Sequence, residues 1–113
     1  MAGALIRRGS FVIAAFAGDY GKPRPGLVVQ SDLMMGLPSV LLCPLTANLR
    51  EDIEMLRIRV DPGEANGLRE PSQIAIDKIV AIPRAKIGQV IGQADAELMV
   101  RVDRALTFVF GLT

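Results

Sequence analysis

The chain reads as a mainly β protein: a small antiparallel barrel or strongly bent sheet carrying one C-terminal helix. Two observations predict this. Short runs with strand-like apolar content recur along the chain, each bounded by Gly, Pro, Asn or Asp. The one long stretch with helical periodicity comes last, after Asp95. A length of 113 residues suits one domain spanning 1–113, large enough to bury a core without disulfides. Closing the strands into a barrel would also remove exposed edges.

Arg8-Gly9-Ser10 leads into the first strand, Phe11 to Phe16, whose continuous apolar run suits burial on both faces. A polar, glycine-flanked loop follows, then a second strand from Gly26 to Gln30. Met34 to Pro38 is a loop or single turn, broken by Gly36 and Pro38. Ser39 to Leu45 is the third strand. Pro44 cannot donate to a ladder, so it must stand at an edge or bulge and the chain bends there. Met55 to Val60 alternates, with Leu56, Ile58 and Val60 pointing one way and Arg57 and Arg59 the other, as in a half-exposed strand; the two arginines make a solubilising face or, less commonly, touch a phosphate backbone. Gln73 to Ile82 reads as one strand interrupted chemically by Asp77-Lys78, a charged pair that needs either a bulge to expose it or a site to line. After a turn at 83–86, Ile87 to Ile91 is the last strand. Asp95 caps a helix running to about Phe110, with Leu98, Val102, Ala105, Leu106 and Val109 on one face, and Gly111 ends it.

Composition removes several classes of function. Half the residues are hydrophobic and mostly aliphatic, which predicts a compact core and a surface prone to self-association. Histidine is absent, so histidine acid–base pairs, Ser-His and Cys-His nucleophile systems and histidine-ligated zinc are excluded within one chain type. The single cysteine, Cys43, excludes an intrachain disulfide and reads as a small buried hydrophobe. A formal charge of +1 gives no overall basic field, so any nucleic-acid site must be local. The start, with Arg7 and Arg8 after an apolar pair, is the reverse of a secretory signal, and no apolar run reaches membrane-spanning length. A cytoplasmic location, with no membrane partner, is the expectation.

The residues that carry chemistry gather in three places. In Gly18 to Asp32, Pro23 and Pro25 fix their own φ and push Lys22 and Arg24 towards extended backbone, so the Arg24 guanidinium is a pre-organised, always-charged fork that matches a phosphate. Such a loop can equally be a rigid, solvated surface. Thr46-Ala47-Asn48 follows the bend at Pro44, a hydroxyl and an amide that serve either a plain turn or a ligand. Asp77-Lys78 is the third.

In order and spacing, these segments resemble the MazF/PemK family of toxin endoribonucleases from toxin–antitoxin pairs. The resemblance rests on Arg8-Gly9-Ser10, on the run from Gly21 to Val29, on Pro44-Leu45-Thr46-Ala47-Asn48-Leu49, on Ile76-Asp77-Lys78-Ile79 through Lys86-Ile87-Gly88, and on Val102 to Leu106. It departs from the family at Ser10, where an acidic residue is usual, at Ala75, where some members carry arginine, and in lacking a first-loop histidine. The resemblance implies a homodimeric SH3-like barrel that cuts single-stranded RNA at short sequences, leaving a 2′,3′-cyclic phosphate and a 5′-hydroxyl without metal or cofactor. It also implies an antitoxin whose tail occupies the RNA groove. Carried over position by position, Arg24 and Thr46 become the catalytic pair. Asp19, Tyr20, Lys22, Asn48, Asp77 and Lys78 become substrate-binding positions, with Tyr20 to stack a base. Asp19 or Asp77 could act as general base if burial raised its pKa. Two rivals are a gyrase-inhibiting toxin of related fold without nuclease activity, and a non-catalytic interaction module.

Overall fold

The computed structural model describes residues 5–18 and 22–112. Its strands are β1 (Ser10–Ala15), β2 (Pro23–Val28), β3 (Ser39–Thr46), β4 (Arg57–Val60), β5 (Ser72–Ala75), β6 (Val80–Pro83) and β7 (Ile87–Gln93), followed by helix α1 (Ala96–Val109). They form one antiparallel sheet in the order β4-β5-β3-β2-β1-β7, with β6 paired to β3 beside this path. Among the described residues β4 and β7 do not pair, so the sheet is bent and open, and the expected barrel closure is not made.

The bend has a local cause. Along Ser39 to Leu42, β3 pairs with β6, whereas Leu45 and Thr46 pair with β5. Pro44, which has no N–H to give, falls where β3 changes neighbour, as its ring requires. The expected single strand from Gln73 to Ile82 is therefore two strands joined by a 3₁₀ turn at Ile76–Lys78. That break lets one stretch of chain serve both halves of β3, and it puts Asp77 and Lys78 on an exposed turn instead of inside an apolar strand.

Strand alternation then sorts the core into two layers. Phe11, Leu27, Cys43, Leu45, Ile58 and Ile74 face α1 and pack with Val102 and Ala105. Val12, Ala14, Phe16, Val28, Val40, Leu42 and Ile82 form the opposite layer. β1 is thus buried on both faces, as its unbroken apolar run predicts. Ser10 is also fully buried; its hydroxyl accepts from the Arg7 N–H and donates to Gln93 Oε1. Fourteen residues make a helix that is marginal alone, so α1 depends on this packing. The Asp95 carboxylate caps it by accepting from the Leu98 N–H at 2.8 Å. Gly111, at φ +69°, ends it in the left-handed region.

Two strands differ from expectation in ways that matter for function. β2 starts at Pro23 and not Gly26, so Arg24 stands on a strand and not in a loop. β4 starts at Arg57, and the Arg57 side chain is only 7% exposed, where solvent was expected. Its guanidinium forms a two-bond ion pair with Asp77, Nε to Oδ1 at 2.9 Å and Nη2 to Oδ2 at 3.2 Å, which offsets the cost of burying the charge.

Candidate active site

β2 and β3 part company at one end. Their ladder runs from Val28↔Leu42 to Gly26↔Pro44 and stops there. Beyond that point β2 follows β1, with Ala14↔Arg24 and Ala15↔Pro23, while β3 follows β5, with Thr46↔Gln73. Pro23, Pro25 and Pro44 withhold three backbone donors where the strands diverge, so the fork loses little hydrogen bonding by opening. Arg24 and Thr46 each stand two residues beyond the last pair, Gly26↔Pro44, one on each prong.

A cleft of about 1230 Å³ occupies this fork. One part of its lining is apolar, including Ile13, Pro25, Leu45, Leu68 and Ile91; the other is polar and basic. Among the described residues, Arg24, Arg50, Arg57, Arg69 and Lys78 line it against the single carboxylate of Glu70, so their field is positive although the chain is nearly neutral. Arg57 spends its charge on Asp77, and Arg50 holds Asp52 at 2.7 Å on the exposed rim. Arg24, Arg69 and Lys78 complete the basic lining.

Thr46 serves a turn and faces the cleft at once. Its Oγ1 accepts from the Asn48 N–H at 3.1 Å. That bond uses an oxygen lone pair and keeps the O–H proton for an acceptor in the cleft. The alternatives left open by the sequence are therefore compatible.

Of the positions singled out from the sequence, Arg24, Thr46, Asn48 and Lys78 come together around the cleft. Lys22 is exposed and stands outside the lining, and Asp19 and Tyr20 lie outside the described residues. Asp77 sits behind Arg57 and is not part of the lining. The hydrogen bonds from Arg57 hold its carboxyl below the ordinary carboxylate range, which makes it a weaker base, contrary to the rise a general base would need. Burial, reinforced by Asp77, pushes the Cys43 thiol up to about 12, which keeps it protonated and inert. Arg50 and Arg69 are cleft residues that pattern alone did not single out, and Arg57 lines the cleft where a solubilising face was the commoner reading. A signal for Arg57 does exist in the sequence: an aspartate inside an apolar run needs a cation, and alternation offers Arg57 or Arg59.

Comparisons with known proteins bear on the family and the fold. Residues 7–110 match the family model described as the PemK-like, MazF-like toxin of type II toxin–antitoxin systems. A protein of Mycolicibacterium smegmatis named probable endoribonuclease MazF is 40% identical over 108 residues, covering 95% of this chain and 98% of that one. Among solved structures, the Mycobacterium tuberculosis toxin MazF-mt6 superposes with a TM-score of 0.78 at 27% identity, over 92% of this chain and 98% of the other. A mycobacterial endoribonuclease solved with its cognate antitoxin shares the fold, with a TM-score of 0.79 at 19% identity over 96% and 98% of the two chains. The chain belongs to the PemK/MazF family of toxins of type II toxin–antitoxin systems.

Proposed function

We propose that this toxin is an endoribonuclease acting in the cytoplasm on single-stranded RNA, with the fork between β2 and β3 as its active site. The observation that carries the reading is the placement of Arg24 and Thr46 on opposite prongs of one basic cleft. In this chemistry the 2′-hydroxyl of the RNA attacks the adjacent phosphorus, and the bond from phosphorus to the 5′-oxygen of the next nucleotide breaks. The products are a 2′,3′-cyclic phosphate and a 5′-hydroxyl. The nucleophile belongs to the substrate, so the protein's tasks are to hold the phosphate in line and to offset charge as it develops on the phosphoryl oxygens. Arg24 grips those oxygens through its planar fork, and the Thr46 hydroxyl donates a further hydrogen bond. Asn48 and Lys78 contact the flanking nucleotides, and Tyr20 offers an aromatic face for a base. Lys22 adds attraction for the strand from outside the cleft. The protein works as a homodimer, and an antitoxin occupies the basic cleft to silence it.

The test is cleavage of a long unstructured RNA by purified protein, with and without excess chelator, beside the same RNA carrying 2′-deoxy at the cut sites. Chelator-resistant cutting of RNA, with the 2′-deoxy substrate bound but intact, is expected. Cutting of the 2′-deoxy strand would contradict the reading, because water or a side chain would then be the attacking group.

A further inference from the structure

Gln73 is nearly fully buried, although it stands on the sheet face that leads into the cleft. Its main chain pairs with Thr46, the last residue of β3. Its side-chain amide makes two bonds to one other residue: Oε1 accepts from the Arg50 N–H at 2.8 Å, and Nε2 donates to the Arg50 carbonyl at 2.8 Å. β3 has already ended there, so the amide stands in for the peptide unit of a neighbouring strand and satisfies both polar groups of Arg50. Gln73 therefore holds both ends of the segment 46–50, by its backbone at Thr46 and by its side chain at Arg50. The bond from the Asn48 N–H to Thr46 Oγ1 braces the middle. Thr46, Asn48 and Arg50 all line the cleft.

We propose that Gln73 is a positioning residue for RNA cleavage: its amide clamp fixes the angle at which residues 46–50 meet the phosphate. The proposal rests on the endoribonuclease reading and extends it to a residue that does not itself touch the substrate. With the clamp gone, the segment can pivot about Thr46, and a displacement of about 1 Å at reacting groups costs on the order of a hundredfold in rate. Binding of RNA, dominated by the cationic lining, changes little.

The test compares Gln73→Met and Gln73→Glu with the parent in melting temperature, affinity for 2′-deoxy-substituted RNA, single-turnover cleavage, and hydrogen exchange at the Arg50 amide. In folded Gln73→Met, cleavage should fall about ten- to a hundredfold while affinity stays within about threefold, and the Arg50 amide should exchange faster. Gln73→Glu adds a signature that general loosening would not produce. Ionised, the new carboxylate accepts from the Arg50 N–H but has nothing to donate to the carbonyl. Protonated, it does both. Among the described residues, the cations bound to this position or beside it on β4 are ion-paired, Arg50 with Asp52, Arg59 with Asp61 and Arg57 with Asp77, and burial raises the carboxyl pKa. The deficit of Gln73→Glu relative to the parent should therefore shrink between about pH 8 and about pH 5. Parent-like rates in both folded variants, a Gln73→Glu deficit equal at the two pH values, or unchanged exchange at Arg50 would overturn the proposal. If the parent itself leaves RNA intact, the endoribonuclease reading fails, and the exchange measurement still decides whether Gln73 holds the loop.

Discussion

Thr46 accepts one bond in the structure and, in the proposed reading, donates a second to phosphate; one substitution removes both, and stability and rate report them separately. Thr46→Val keeps the side-chain shape, removes the acceptor for the Asn48 N–H, and removes the proton available to a phosphate. The first loss should lower stability by about 0.5–1.5 kcal/mol. The second should slow single-turnover cleavage per folded molecule by about ten- to a hundredfold, or roughly 1.4–2.7 kcal/mol of transition-state stabilisation. A folded variant cutting at the parent rate would remove Thr46 from the chemistry and keep it as a turn residue. Glycines give a second contrast at this scale. Gly67 has φ +69°, and a Cβ there would sit 2.1 Å from the carbonyl oxygen of Ile91, main chain against main chain. Gly67→Ala should cost at least about 2 kcal/mol, from backbone strain and overlap together. Gly111 shares φ +69° but faces open space, so Gly111→Ala should cost only about 1 kcal/mol. Urea melts of the two variants check this; equal losses would contradict the close approach at Gly67.

The 3₁₀ turn at Ile76–Lys78 is tied to β4 by the Arg57–Asp77 pair, and this tie has a pH signature. Arg57 holds the Asp77 carboxyl below its ordinary 3.8, so the folded protein binds that proton less readily than the unfolded chain. The pair's contribution is then complete above the ordinary value and is lost as pH falls through the lowered one. Asp77→Asn should lower the melting temperature near neutral pH, because it leaves Arg57 buried without its carboxylate. It should also flatten the fall in melting temperature below about pH 4. An acid limb as steep as the parent's would mean that other carboxylates set it. Cleavage should weaken through a displaced Lys78 more than through loss of a base, so the pH–rate profile of Asp77→Asn should keep the parent's shape.

At the scale of the whole molecule, much was legible in the sequence, and the gaps have physical causes. Apolar runs and turn residues located β1, β3, β7 and α1 closely, because each buries a face whose period the sequence must match. Pro44 announced the bend. The division of residues 72–83 into β5 and β6 was hidden, since the same apolar alternation serves one long strand or two short ones with different partners. Only the chemical oddity of Asp77-Lys78 hinted at the break. Arg57 differs from the solvent-facing reading because alternation assigns faces without saying what each face meets, and here that face of β4 meets a cleft at Arg57 and solvent at Arg59. Barrel closure was expected from the need to protect edges, yet closure depends on pairing between chain-distant strands that no local pattern encodes. At the candidate site, Arg24 and Thr46 are singled out by proline stiffening, by the bend and by family resemblance, whereas their standing on opposite prongs of a fork comes from where the β2–β3 ladder stops. Arg24→Lys probes that arrangement, because it keeps the charge and replaces a planar fork with a mobile point charge. Melting temperature, affinity for 2′-deoxy-substituted RNA and single-turnover rate should be measured on one preparation. A folded variant that still binds RNA and cleaves about a hundredfold more slowly or worse is expected; a folded, RNA-binding lysine variant that cuts at nearly the parent rate would mean that the planar fork of Arg24 does not hold the phosphate.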